Sequence, residues 1–178
     1  MRYTVKDRKF FSQPAEILAP QLLGKTLCHK TDCGEVIRFK IYDVEAYPAK
    51  DTANYGCTAD GGFKPATSHT APLFQLGGSC CIYGGMLLIV CGREGEPDNV
   101  LIRGVADAEN RYDGPLKVAA ALRLNENKQI HGSDLLTSDV LWIETDRAIG
   151  SVCKTIRQGL SHRVKEEDRE KRCRFIKI

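Results

Sequence analysis

No stretch of this 178-residue chain approaches a membrane-spanning run, which needs ~20 uninterrupted apolar residues. The opening MRYTVKDRKFF places no apolar segment ahead of its charges, so no secretory leader is read there. A soluble, intracellular protein is therefore expected, and its length suits one domain with a core of its own. A strong net charge is also missing: the chain carries +3 with an isoelectric point near 8.4, too mild to name a partner. No internal repeat is visible, and strands and helices follow no strict alternation, which argues against solenoids and doubly wound sheets.

Cysteine is plentiful, with eight residues, but regular spacing is not. Cys28 and Cys33, with His29 between them, superficially suit zinc. A second ligand pair at comparable spacing is absent, and Cys33 falls in a predicted turn, Thr31-Asp32-Cys33-Gly34, so no metal is expected. Without a leader the thiols are read as reduced, several of them buried as small hydrophobes.

The charge is unevenly placed. From Ser151 onward nine Lys/Arg face four acids, a surplus of five against +3 for the whole chain. A basic C-terminal surface on a near-neutral body suits contact with a phosphate backbone, and it equally suits a solvated terminal helix.

The most informative segment is EVIRFKIYDVEAY, residues 35–47, which reads as one long strand. Period-two alternation puts Ile37, Phe39 and Ile41 on one face and predicts that the row continues into Asp43, Glu45 and Tyr47. Carboxylates on an inward face are costly unless paired, hydrated or used. An acid at the mouth of a core beside an aromatic ring would suit proton chemistry on a flat substrate, and a strand end emerging into water would leave both acids merely wetted. Asp43 either tunes Glu45 or pairs with a nearby Lys or Arg.

Around this strand, Ser12-Gln13-Pro14 and AEILAPQLLG predict a helix with a Ser cap, ended or kinked by Pro20 and closed by Gly24. KTLCHK and the TDCG turn complete a hairpin with the long strand. Residues 48–72 form a long loop. GGSCCIYGGMLLIVCG and VLIRGV predict strands, with a hairpin bend at Gly84-Gly85. A helix is expected from Gly114-Pro115, a shorter one at GSDLLT, and a strand at VLWIE. The pattern predicts a single α+β domain over residues 1–178, with a curved, mostly antiparallel sheet.

In sequence order these pieces resemble the alkyladenine (3-methyladenine) DNA glycosylases. PAEILAPQLLGKTL is similar to that family's opening helix and Leu-Leu-Gly-Lys turn, DVEAY to its catalytic strand, and Asp51-Thr52-Ala53 to the segment after it. Leu73-Phe74 with Gly77-Gly78, Tyr83-Gly84, VLIRGV, and Gly114-Pro115 with Lys117 follow collinearly. The resemblance covers roughly Pro14 to Gly150, weakening toward Phe175. It implies a formyltransferase C-terminal-domain-like fold with a protruding hairpin, and a cofactor-free monomer acting on double-stranded DNA that contains damaged purines. The implied location is cytoplasmic, at a bacterial nucleoid, or nuclear in a eukaryote.

The resemblance also implies roles. Glu45 would activate water for attack at the sugar C1′ of an extruded nucleotide, and Arg103 would help hold that water. Tyr47 would stack on the flipped base, with Tyr55 standing where the family has His. Val90 would fall where a pocket Asn helps exclude guanine. Tyr83 would be the wedge that fills the gap in the duplex, with Met86 the alternative. His69, Lys117, Lys171, Arg172 and Arg174 would meet phosphates; His69-Thr70 replaces the family's Arg-Asn pair. No lysine stands where a Schiff base would need one, so strand cleavage is not expected. The implied activity is excision of alkylated or deaminated purines by hydrolysis of the N-glycosidic bond. The alternative is a catalytically weak, damage-recognising DNA-binding protein of the same fold.

Overall fold

The computed structural model describes residues 3–145 and 150–178. In chain order the elements are β1 (Tyr3–Thr4), α1 (Arg8–Phe11), α2 (Ala15–Leu22), β2 (Thr26–Lys30), β3 (Val36–Tyr47), β4 (Cys80–Tyr83), β5 (Met86–Val90), β6 (Asn99–Ala106), β7 (Arg111–Asp113), α3 (Pro115–Ala121), β8 (Leu141–Thr145), β9 (Val152–Thr155), α4 (Glu166–Arg169) and β10 (Arg174–Lys177). The strands join one antiparallel sheet with the main order β1-β8-β2-β3-β6-β5-β4, giving a single α+β domain. Among the described residues, no helix is long and apolar enough to cross a membrane.

The sheet branches on either side of the β3–β6 pair. On one edge of β3, β2 covers Val36–Lys40 and β10 takes over at Asp43–Glu45. Along β6, β5 pairs with Asn99–Leu101 and β7 with Gly104–Ala106. At the branch the β3–β6 register shifts: Ile41 opposes Val105, Asp43 opposes Gly104 and Val44 opposes Ile102. Tyr42 on one strand and Arg103 on the other are thus the extra residues of an irregular, bulged pairing.

This irregularity corrects the expected strand face. The row Phe39 and Ile41 does not lead into the carboxylates; it is continued by Val44 and Ala46, which enter the same large core as Ile102 and Val105. Asp43, Glu45 and Tyr47 consequently face the other way, and Tyr47 packs in a second cluster with Leu73, Cys81, Leu88, Val90 and Leu101. Gly104 makes the bulge possible. A Cβ there would stand 2.6 Å from Tyr42 Cζ and 2.8 Å from Asp43 Cβ, closer than packed atoms tolerate.

Helices cover the large core. α2 contributes Ala15, Leu18, Ala19 and Leu22, and α3 contributes Val118 and Ala119. The expected Ser cap is not used: Pro14 precedes the first turn, and the amide of Ala15 donates to the buried Asp98 carboxylate at 3.3 Å. Burial raises the Asp98 pKa to about 6. Pro20 lies inside α2, which ends two residues later, at Leu22. The GSDLLT helix does not form. There Ser133 accepts from the amide of Cys80, and Asp134 bridges to Ser79, so pairing with β4's entry overrides the local tendency.

The basic C-terminal segment is not a solvated helix. It supplies β9 and β10, and β10 lies directly against β3 with Arg174 opposite Glu45.

Candidate active site

The bulged end of β3 gathers two carboxylates and two arginines. Arg174 of β10 grips Asp43 with both ends of its guanidinium, Nε to Oδ1 at 3.0 Å and Nη2 to Oδ2 at 2.6 Å. This is the fork geometry that suits arginine to carboxylate. Arg103 stands between the acids, its Nη1 3.6 Å from Glu45 Oε1 and its Nε 3.9 Å from Asp43 Oδ2. Asp43 therefore takes the pairing role rather than standing exposed.

Glu45 is fully buried. Its Oε2 accepts from the Tyr47 hydroxyl at 2.9 Å, and its Oε1 accepts from the backbone amide of Gln158, also at 2.9 Å. Burial raises the pKa of Glu45, and the Gln158 amide, Arg103, Tyr47 and Arg174 oppose that shift. The result is a carboxylate more basic than usual, yet surrounded by donors that hold its ionised form in one orientation. Burial and the adjacent Glu45 raise the Tyr47 phenol, so that hydroxyl remains a donor.

The covering segment is anchored by a residue that the sequence showed only as one more basic charge. Arg157 is buried, and its Nη2 meets Asp51 Oδ2 at 2.9 Å with both side chains fully shielded. The same guanidinium donates to the carbonyls of Ala46 and Asp168 and lies 4.9 Å from the Tyr47 ring centroid. Asp168 in turn accepts from the amide and hydroxyl of Thr52 and from Lys171. Burial pushes the Asp168 pKa up, but these partners outweigh it and hold it at about 2. The loop after β3 and the C-terminal segment are thereby locked over the site. Arg157 and Gln158 carry no local motif; the length of the 48–72 loop, its Asp51-Thr52-Ala53 segment and the basic surplus after Ser151 point to the two segments without singling out either residue.

Beside Glu45's partners opens a cavity of about 510 Å³, lined by Tyr47, Tyr55, Met86, Arg103, Gln158 and Leu160 among others. Its aromatic wall is a ladder. Tyr47 and Tyr55 stack with centroids 6.0 Å apart, and Tyr55 leans on Tyr83 at 4.6 Å. Tyr83 and Met86 face each other across the tip of the β4–β5 hairpin, where Gly84 and Gly85 adopt φ of +56° and +77°; two successive positive φ angles favour glycine in such a turn.

The structure brings together Glu45, Arg103, Tyr47 and Tyr55, with Tyr83 and Met86 at the rim. Val90 is fully buried behind the aromatic wall, in the apolar cluster with Tyr47, Leu73, Cys81 and Leu101, and does not itself line the cavity. His69 is exposed on a neighbouring recess with Tyr55 and Tyr83. Lys117 is exposed in the first turn of α3, and Arg172 is exposed near β10. Lys171 and Arg174 are engaged by Asp168 and Asp43.

The chain matches a family model described as methylpurine-DNA glycosylase over residues 9–177. It is similar to a protein of Clostridium botulinum (strain Loch Maree / Type A3), provisionally named a 3-methyladenine DNA glycosylase, at 29% identity over 90% of each chain. A Chlorobium phaeobacteroides protein with the same provisional name is 28% identical over 85% of this chain and 83% of its own. A third, from Clostridium beijerinckii, is 35% identical over 69% of this chain and 58% of its own.

Proposed function

Because the chain belongs to the methylpurine-DNA glycosylase family, we propose that it excises alkylated or deaminated purines from double-stranded DNA by hydrolysing the N-glycosidic bond. The observation that carries this reading is the buried, basic Glu45 held by Tyr47, Gln158 and Arg103, three residues that line an aromatic cavity. The glycosidic bond is hidden in a stacked duplex, so the nucleotide must leave the stack to react. Tyr83, or Met86 opposite it at the hairpin tip, is the proposed wedge for the gap.

The base enters the cavity against Tyr47. A ring sandwiched between Tyr47 and Tyr55 needs about 7 Å between their planes at ordinary contact distance, and the two centroids are 6.0 Å apart. Tyr55 must therefore move outward as the base arrives. Glu45 then removes a proton from water as that water attacks C1′, and its negative charge stabilises the positive charge developing on the sugar. Arg103, with the Gln158 amide, favours the ionised carboxylate against the effect of burial and offers a donor toward the water. Asp43, neutralised by Arg174, leaves Glu45 as the base. Exposed His69, Lys117 and Arg172 are the proposed phosphate contacts.

The test is release of free base from duplexes carrying 3-methyladenine, hypoxanthine or ethenoadenine. Wild type should generate abasic sites, and Glu45→Gln should lose ~10²- to 10⁴-fold in rate while retaining lesion binding. Binding by the wild type without any base release would instead favour a damage-recognising protein.

A further inference from the structure

Gln158 touches both halves of the Glu45–Arg103 pair. Its backbone amide donates to Glu45 Oε1 at 2.9 Å, and its side-chain carbonyl oxygen accepts from Arg103 Nη2 at 3.0 Å. Arg103 is the carboxylate partner held least closely in the cluster. Neither of its carboxylate contacts is a close hydrogen bond, at 3.6 Å to Glu45 and 3.9 Å to Asp43, whereas Arg174 holds Asp43 at 2.6 Å. The short contact to Gln158 is thus the bond that fixes Arg103's outer nitrogen. A long arginine side chain has many rotamers to lose when held, so an unheld one would sample other positions. Both residues line the cavity.

We propose that Gln158 is a positioning residue for the reaction, its side-chain amide steering Arg103 onto Glu45 so that Glu45 stays ionised and oriented toward the incoming water. The proposal rests on the glycosylase reading for its catalytic consequence, but not for its effect on Glu45 itself. The charged and titratable groups around Glu45 come from five places: Asp43 and Tyr47 on its own strand, Arg103 on β6, Arg174 on β10, Tyr55 on the loop after β3, and Arg157 behind the Tyr47 ring. Of these, Gln158's side chain bonds Arg103, so its removal acts through that one cation. The backbone amide to Glu45 survives any substitution of the side chain.

The sign follows. Arg103 favours ionised Glu45, so loosening Arg103 should raise the pKa of Glu45 and move the acid limb of the rate profile to higher pH. In Gln158→Ala and the near-isosteric Gln158→Met, the acceptor is gone and the limb should move upward. In Gln158→Glu, a carboxylate draws Arg103 away and adds a like charge near Glu45, so the shift should be larger. At a pH on the limb, base release by Gln158→Met should fall a few-fold, about threefold for one solvent-exposed hydrogen bond, and recover toward wild type at higher pH.

The experiment follows the Glu45 carboxyl ¹³C shift with pH in the intact, DNA-free protein, together with the pH profile of base release from a 3-methyladenine duplex. The order wild type, then Gln158→Ala and Gln158→Met, then Gln158→Glu in rising Glu45 pKa supports the proposal. An unmoved Glu45 titration overturns it, whatever happens to the rate. Failure of the wild type to release any base would overturn the glycosylase reading alone, because the carboxyl titration needs no turnover.

Discussion

On either side of Tyr42, β3 has the same pleat and the same period but different surroundings. Before it, Phe39 and Ile41 are buried while Arg38 is exposed, the usual one-sided strand. After it, every residue from Asp43 to Tyr47 is buried, because the C-terminal segment and the loop after β3 close over the face that the first half leaves open. A strand becomes a site here by acquiring a second roof over polar side chains. That roof is tied to the strand by buried ion pairs and hydrogen bonds. The two halves should therefore respond to mutation in different ways.

The largest effect on stability is expected at the roof's anchor. Arg157→Leu would leave Asp51 buried without its principal partner and release contacts to Ala46 and Asp168. Breaking a buried pair by removing one member costs ~3–5 kcal/mol. Urea denaturation should show that loss, and Asp51→Asn with Arg157→Leu should recover part of it. If Arg157→Leu unfolds at the wild-type midpoint, the anchor is not what holds the segment.

Gly104→Ala tests the bulge between the halves. The added methyl meets Tyr42 and Asp43 at under 3 Å, and both are boxed in, Tyr42 by its hydroxyl bond to Asp113 and by Arg111 over its ring, Asp43 by Arg174. Overpacking of this kind costs ~1–3 kcal/mol. The rate should fall more than occupancy of the folded state explains, since Arg103 shares the bulge. A folded Gly104→Ala protein with wild-type base release would uncouple the bulge from the site.

Val90→Asn should act on folding and not on base choice. Val90 is fully buried among apolar side chains, so an amide there lacks partners, at ~1–3 kcal/mol. The ratio of 7-methylguanine to 3-methyladenine release should stay unchanged; a shift toward adenine-derived bases would put Val90 back at the pocket.

These expectations mark what the sequence could carry. The β2–β3 hairpin, the Gly84-Gly85 bend and the helix at Gly114-Pro115 were legible because each depends on neighbours in the chain: alternation, positive-φ glycines, and proline in a first turn. Glu45 beside Tyr47 was legible from their spacing, since both lie beyond the bulge and keep a common face. The side of the sheet they occupy was not, because one extra residue at Tyr42 resets the phase and no local signal marks it. Arg157 and Gln158 were illegible for a different reason. Their partners Asp51, Arg103 and Glu45 lie 55 to 113 residues away, and nothing in the surrounding segment distinguishes these two residues from solvated polar chain.

The smallest effect is expected from an arginine in the first half of the same strand. Arg38 lies 3.7 Å from Glu144 on the neighbouring β8, and its side chain is 41% exposed. Water screens such a pair, and holding two long side chains in one geometry offsets most of the attraction, leaving ~0–1 kcal/mol. Arg38 has no roof over it and no carboxylate buried beneath it, so removing its charge strands nothing in a dry place. Arg38→Ala should shift the urea midpoint slightly and leave base release untouched, while Arg157→Leu, with the same change of charge, should shift both. A loss at Arg38 comparable to that at Arg157 would mean that burial is not what separates the two halves of β3.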